Sequence, residues 1–288
     1  MIPALYVVAT PIGNLEDITL RGIRVLREVG LIAAEDTRKT KRLLNKYEIR
    51  TPLTSYHEHN KLSKLNELLA ILREKDIALV SEAGTPGMSD PGYELVRAAG
   101  QQGIPVIPVP GPSAVISALT VSGLPTDRFL FCGFLPNRQS ARQRALREIA
   151  AESATLVILE APHRLIASLE DIRLVLGDRE LAVCREMTKL HEELFRGTIS
   201  EAIARFTAPR GELTLVIAGQ KAAEPPQLTG EITRQLRDMY LAGATAREAI
   251  ARVSRDTGLP RKELYRTWLQ FPESRGQDKD LCHLTGRR

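Results

Sequence analysis

For its first 220 residues the sequence alternates between short apolar runs and longer stretches with leucines at helical spacing. The apolar runs are Leu5–Ala9, Leu31–Ala34, Ile77–Ser81, Val106–Val109, Arg128–Phe131, Leu156–Leu159, Leu181–Cys184 and Leu213–Ala218. Between several of them lie amphipathic segments such as KLSKLNELLAILREK. Alternation of this kind builds βαβ units, and βαβ units imply a sheet with parallel strands. Runs that are apolar at nearly every position imply that both faces of the sheet are covered. The fold class is therefore α/β.

Two seams divide the chain. The first, LTVSGLPTD, carries Gly123, Pro125 and Asp127 and has loop composition. Four apolar runs precede it and a second alternating set follows, which predicts one α/β domain over 1–120 and another over 121–222. The second seam, KAAEPPQLTG, ends the strand pattern. Beyond it the periodicity is helical only, in EITRQLRDMYLAG, TAREAIARVSRDTG and PRKELYRTWLQF. Thr245 with Glu248 has the spacing of a capping box, Gly258 suits a helix end, and Pro260 suits the start of the next helix. Two helices joined by a short turn with glycine form a helix-turn-helix pattern. A small helical module is predicted over 228–272, with a disordered polar tail over 273–288.

Composition excludes other classes. With 43% hydrophobic and 26% charged residues, the 288-residue chain reads as globular and is long enough for more than one domain. No apolar run approaches the roughly 18–20 residues of a membrane span, and the start, MIPALYVVAT, reads as a first strand and not as a leader. Cys132, Cys184 and Cys282 are far apart and fit reduced thiols of a cytoplasmic protein. Of the net charge of +5, residues 228–288 contribute +4, from twelve Lys/Arg against eight Asp/Glu. Arg38, Lys39, Lys41, Arg42 and Lys46 form another basic stretch, and Arg138, Arg142, Arg144 and Arg147 a third. Such patches attract phosphates, although a solvated helix face explains any one of them as well.

Three loops rich in glycine and proline follow directly on apolar runs: TPIGN (10–14), SEAGTPGMSDPG (81–92) and PGPSA (110–114). In a parallel sheet they emerge at the carboxyl ends of strands, where ligands bind. Glycine lets backbone approach a ligand closely, and the following helices offer unpaired N–H groups. GxGxxG after the first run and GxxxxGK[ST] are both missing, so the dinucleotide and P-loop fingerprints do not apply. TPIGN alone reads better as a tight turn; the long second loop is harder to explain structurally. In AAEDTRKT, Asp36 is either a helix cap or a functional acid beside Arg38. His163 in EAPHRL reads as a base or as a helix-start residue. His57 and His59 lack a third ligand and fit a solvated loop. No metal site is expected.

The motifs VATPIGNLEDIT, IAAEDTR, LVSEAGTPGMSDPG, PVPGPSA, GFLP, EAPHR, CREMTKLHEE and GELTLVI occur in that order. As a set they resemble a bacterial family of small-subunit ribosomal RNA methyltransferases acting on a cytidine 2′-hydroxyl. That family lies within the tetrapyrrole-methylase-like superfamily of class III S-adenosylmethionine enzymes. The resemblance spans nearly the whole chain. It implies two α/β domains of the tetrapyrrole methylase type with an S-adenosylmethionine cleft between them, a homodimer, and a substrate in the decoding region of 16S rRNA in the small ribosomal subunit. Carried over position by position, it implies cofactor contacts at Ile12, Thr85, Met88, Ser113, Ala114, Glu160, Met187 and Thr214.

Methyl transfer from a sulfonium requires mainly that the accepting oxygen and the methyl carbon be aligned. A ribose hydroxyl is a weak nucleophile, so a base helps. Asp36 ranks first as that base, before Asp90 and Lys189, with Arg38 as a phosphate or transition-state partner. Arg138, Arg142, Arg144, Arg261 and Lys262 are expected to hold RNA phosphates, with the helical module docking by shape and backbone. Two other readings compete. One is methylation of a small, tetrapyrrole-like molecule, which gains nothing from a basic appendage. The other is a non-enzymatic rRNA-binding assembly factor, which has no need of the loop set.

Overall fold

The computed structural model describes residues 2–221 and 226–271. The second seam falls partly outside these residues, and the predicted tail lies wholly outside them. The chain divides into two compact units, Met1–Gln220 and Lys221–Arg288.

The first unit holds two five-stranded sheets. The first comprises β1 (Leu5–Val8), β2 (Leu31–Ala34), β3 (Leu53–Ser55), β4 (Ile77–Val80) and β5 (Val106–Val109). Its order is β3-β2-β4-β1-β5 and every pairing is parallel. The crossovers are α1 (Leu20–Glu28), α2 (Thr37–Lys46), α3 (Lys61–Ile71) and α4 (Tyr93–Gln101). Thr19 caps α1 by accepting from the Gly22 amide, and Asp36 caps α2. One apolar cluster, with Leu26, Ile32 and Leu43, lies on one face of the sheet; another, with Leu68, Ile77 and Leu95, lies on the other. Burial on both faces is what the uninterrupted apolar runs required.

The second sheet comprises β6 (Phe129–Phe134), β7 (Thr155–Glu160), β8 (Glu180–Arg185), β9 (Glu193–Thr198) and β10 (Leu213–Ile217), in the order β6-β7-β10-β8-β9. Only β6 and β7 are parallel; β10 runs antiparallel to β7 and β8, and β9 to β8. The second sheet is thus mixed, whereas the first is the parallel sheet that the βαβ alternation implied. The loop between β8 and β9 covers only residues 186–192, and a parallel crossover needs about a dozen residues or more. α6 (Gln139–Glu148), α7 (Leu165–Leu176) and α8 (Ile199–Arg205) accompany this sheet, and Leu146, Leu169 and Ala202 join a core with Ile158, Val183 and Leu215. The opposite face is covered by α5 (Ala114–Ser122), which follows β5 of the first sheet. Its Val115, Ala118 and Leu119 pack on Val157, Ala182, Cys184 and Val216. Packing therefore ties α5 to the second sheet.

The second unit is a bundle of α9 (Gly230–Leu241), α10 (Ala246–Thr257) and α11 (Arg261–Trp268). The capping box of Thr245 and Glu248 forms, and Gly258 closes α10 with φ of 73°. Leu236, Ile250, Val253, Leu264 and Trp268 make its core, with Tyr240 and Phe271 both edge-on to Trp268. Among the described residues no helix is long and apolar enough to cross a membrane.

Candidate functional site

Strand order explains why the glycine-rich loops meet. β4, β1 and β5 are adjacent and parallel, so TPIGN, SEAGTPGMSDPG and PGPSA leave the sheet side by side. They are stitched together by backbone. The Thr10 amide donates to the Gly84 carbonyl at 2.8 Å, and the Gly84 amide returns to the Thr10 carbonyl at 2.9 Å. The Thr85 hydroxyl donates to the Pro112 carbonyl at 3.2 Å. Gly84 has φ of 76°, a left-handed conformation that glycine adopts freely. Ile12 is buried, and its Cγ2 approaches the position a Gly84 side chain would take. Ser113 caps α5 by accepting from the Ile116 amide, and Ala114 opens that helix.

In the second sheet the carboxyl ends of β6, β7 and β8 and the amino ends of β9 and β10 share one edge. GFLP, EAPHR, CREMTK and GELTL are therefore collected there. This edge meets the loops of the first sheet. The Asn14 amide donates to the Thr188 hydroxyl at 3.1 Å. A methyl group on Gly13 would lie 2.5 Å from Lys189 Cγ and 2.9 Å from the Met187 carbonyl, so only glycine permits that approach. Ser89 and Gly133, both with positive φ, come together in the same way. Met187 packs in the cluster beneath α5, and Thr214 shares the α5-facing side of β10 with Val216. Ile12, Thr85, Ser113, Ala114, Met187 and Thr214 thus gather where the two sheet edges meet, with Met88 exposed on the long loop.

Glu160 does not join them. Its carboxylate is buried on the opposite face of β7, where it accepts from the Ser168 hydroxyl at 2.5 Å and pairs with Arg164 at 3.2 Å. Its side chain anchors the EAPHR turn, which corrects its expected role as a cofactor contact.

The three proposed bases differ sharply. Asp36 accepts from the Arg38 amide at 2.8 Å and the Lys39 amide at 3.2 Å. The Lys39 hydrogen bond, with further help from Arg38, holds its carboxyl below the ordinary aspartate range. It caps α2, and a lowered carboxyl is a weaker base. Arg38 stands 91% exposed beside it. Burial pulls Lys189 downward, but hydrogen bonds to Glu186 at 2.8 Å and Glu212 at 3.0 Å outweigh that and raise it. A lysine held as a cation is no base at neutral pH; Lys189 instead ties down a loop in which Glu186 and Thr188 have positive φ. Asp90 is the opposite case. Burial, with the charges of Glu35 and then Glu82 against a hydrogen bond from Ser81, pushes it up to about 7. That value suits general-base chemistry near neutrality.

Of the expected RNA contacts, Arg138, Arg144, Arg261 and Lys262 are exposed. Arg142 is not. It is buried, with Nη2 2.6 Å and Nε 2.7 Å from Asp171 and Nη1 on the Asn137 carbonyl. Its guanidinium organises the core between α6 and α7, which corrects its assignment to RNA. Sequence reasoning missed Thr10, Glu35, Ser89 and Thr188. Thr10 Oγ1 is buried without a protein partner at the head of the first loop. Glu35 accepts from the Glu82 amide, and Lys39 pairs with Glu82. Among the described residues no group of three His, Cys, Asp or Glu stands together as metal ligands.

The sequence profile of the Tetrapyrrole (Corrin/Porphyrin) Methylases matches residues 4–203. A Synechocystis sp. protein named Ribosomal RNA small subunit methyltransferase I is 50% identical, covering 93% of this chain and 98% of its own. Proteins of the same name from Halalkalibacterium halodurans and Bacillus subtilis are 48% and 45% identical, covering 92% and 91% of this chain and 94% and 92% of theirs. Two solved structures share the fold. Uroporphyrin-III-C-methyltransferase from Thermus thermophilus has a TM-score of 0.53 at 22% identity, over 74% of this chain and 93% of that one. A diphthine synthase has 0.59 at 15%, over 75% and 90%. The apposed sheets, the convergent loops and these similarities agree: the chain belongs to the ribosomal RNA small subunit methyltransferase I family, within the Tetrapyrrole (Corrin/Porphyrin) Methylases.

Proposed function

We propose that the chain methylates the ribose 2′-hydroxyl of a cytidine in the decoding region of bacterial 16S rRNA, with S-adenosylmethionine as donor. The carrying observation is the convergence of TPIGN, the 81–92 loop and PGPSA with the CREMTK loop, in a member of a family whose relatives are named for small-subunit rRNA methylation. The residues fit a nucleoside. Backbone and glycine predominate at the meeting edges, Met187 and Val115 offer an apolar wall, and the buried Thr10 hydroxyl lacks a partner that a polar ligand atom supplies. Ile12, Thr85, Met88, Ser113, Ala114, Met187 and Thr214 would hold it. Bound S-adenosylmethionine supplies a methyl on a sulfonium, which leaves as a neutral thioether. The protein's part is alignment and dryness. Asp90 accepts the proton of the ribose hydroxyl as the oxygen–carbon bond forms.

Exposed Arg38, Arg138 and Arg144 track phosphates in this reading, with Arg261 and Lys262 on the helical module. The working parts are the α/β halves 1–120 and 121–222 and the module 228–272, in a cytoplasmic homodimer; outward apolar residues such as Phe134 and Leu190 support a second copy. The test is incubation with methyl-labelled S-adenosylmethionine and small subunits from a strain lacking the endogenous enzyme. Label in a nuclease-resistant dinucleotide is expected. Label confined to a base, to protein or to a small molecule refutes the 2′-O assignment, and cofactor binding without any transfer refutes the enzymatic reading.

A further inference from the structure

The outward face of α11 combines features that phosphate binding alone does not explain. At about 100° per residue, Arg261, Tyr265, Leu269, Lys262 and Arg266 fall within one arc of about 140°. Leu264, Thr267 and Trp268 lie outside that arc and are buried, with Trp268 bordering it beside Arg261. Tyr265 is 50% exposed and Leu269 65% exposed. The other aromatic rings of this unit, Tyr240, Trp268 and Phe271, pack on one another, whereas Tyr265 packs on none of them. Arg261, Lys262 and Arg266 form no ion pair among the described residues. Among the described residues, the face is therefore an apolar, aromatic centre rimmed by three cations that form no ion pair. Its helix follows the Gly258 turn, in the place of the recognition helix of a helix-turn-helix.

We propose that this face is a stacking platform for an unpaired RNA nucleotide, with the Tyr265 ring against the base and Arg261, Lys262 and Arg266 on the flanking phosphates. The proposal rests on the RNA-substrate reading above and assigns the class of RNA structure it engages. Charge complementarity selects a nucleic acid over an apolar peptide. The projecting ring selects unpaired over paired bases, because a stacked duplex hides base faces while loops and bulges present them. Leu269, one turn beyond Tyr265, extends the platform along the helix axis.

The test uses full-length protein and two fluorescent RNAs of equal length, a hairpin with an unpaired loop and a perfect duplex. Binding is read by anisotropy over a salt series. Tyr265→Leu is expected to weaken hairpin binding about tenfold, with duplex binding and the salt slope unchanged. Tyr265→Phe retains hairpin binding. Arg261→Glu with Lys262→Glu weakens both RNAs, lowers the salt slope by about one to two, and leaves S-adenosylmethionine binding unchanged. The Phe variant and the unchanged duplex binding guard against a folding defect. Wild-type hairpin affinity in Tyr265→Leu, or equal losses on hairpin and duplex, overturns the platform. Loss of binding to intact subunits with hairpin binding unchanged assigns the face to a ribosomal protein and overturns it too. Methyl transfer to small subunits, measured alongside, reports on the RNA-substrate reading separately, since hairpin binding decides the platform whichever way transfer falls.

Discussion

Helix α6 carries Arg142, Arg144 and Arg147, and α11 carries Arg261, Lys262 and Arg266. Both have the composition of a phosphate-binding helix. In α6 the middle of the helix faces Asp171 of α7, and Arg142 is drawn into the core. Gln139, about one turn before it, and Gln143, the next residue, add hydrogen bonds to the same carboxylate at 3.2 and 2.7 Å. Burial alone raises Asp171, but the bonds from Gln143, Gln139 and Arg142 outweigh it and hold it below the ordinary range. In α11 the buried side is Leu264, Thr267 and Trp268, and every cation faces out. The lesson is that a basic helix binds a partner only with the charges its own fold has not already engaged. Composition counts the charges, whereas packing decides which remain.

The largest expected effect tests the inward arginine. Removing one member of a buried, hydrogen-bonded ion pair costs about 3–5 kcal/mol, because the other charge is stranded. Arg142→Ala should lower stability in urea unfolding by that amount, while folded protein keeps its RNA affinity. Arg142→Met with Asp171→Leu should recover most of the loss. A loss under about 1 kcal/mol would break the contrast between the helices.

The same contrast separates two aspartates. Asp36 is engaged by its own helix, whereas Asp90 is pushed up to about 7 by burial and by Glu35 and Glu82. Asp90→Asn should reduce turnover about a hundredfold. A raised carboxyl becomes a base only as pH climbs through its own pKa, so the wild-type rate should rise through about pH 7 and then level, and the variant should lack that limb. Asn caps helices about as well as Asp, so Asp36→Asn should leave the single-turnover rate within about twofold. A larger fall for Asp36→Asn than for Asp90→Asn restores the ranking that its position in EDTR suggested.

What was legible in the sequence follows the same physics. The central strands announced themselves because both faces are buried, and the three ligand loops because glycine and proline follow those strands. The helix-turn-helix caps were local and therefore readable. β3 and β9 were missed because both are edge strands, half-exposed and in β9 charged, so they lack an apolar run. The antiparallel half was missed because strand direction depends on loop 186–192, whose polar sequence does not show how short the connection is. Glu160 and Arg142 were misassigned because their partners, Ser168 and Asp171, lie on α7, and the pairings arise only when that helix packs. Thr188 meets Asn14 across 174 positions, a contact no local pattern encodes.

The smallest effect completes the comparison on α6 itself. Arg144 is exposed, two residues from Arg142, and forms no ion pair among the described residues. Its reversal to Glu should change stability by less than about 0.5 kcal/mol. Its effect should appear instead in RNA binding, as a several-fold weaker affinity and a salt slope lower by about one. That is the mirror image of Arg142→Ala, which costs stability and leaves binding alone. Both variants are measured on the same RNA and the same unfolding curve, so folding defects cancel in the comparison. If Arg144→Glu leaves affinity and salt slope unchanged, α6 is a solvated face whose one engaged arginine serves the core, and RNA contact falls to α2 and α11.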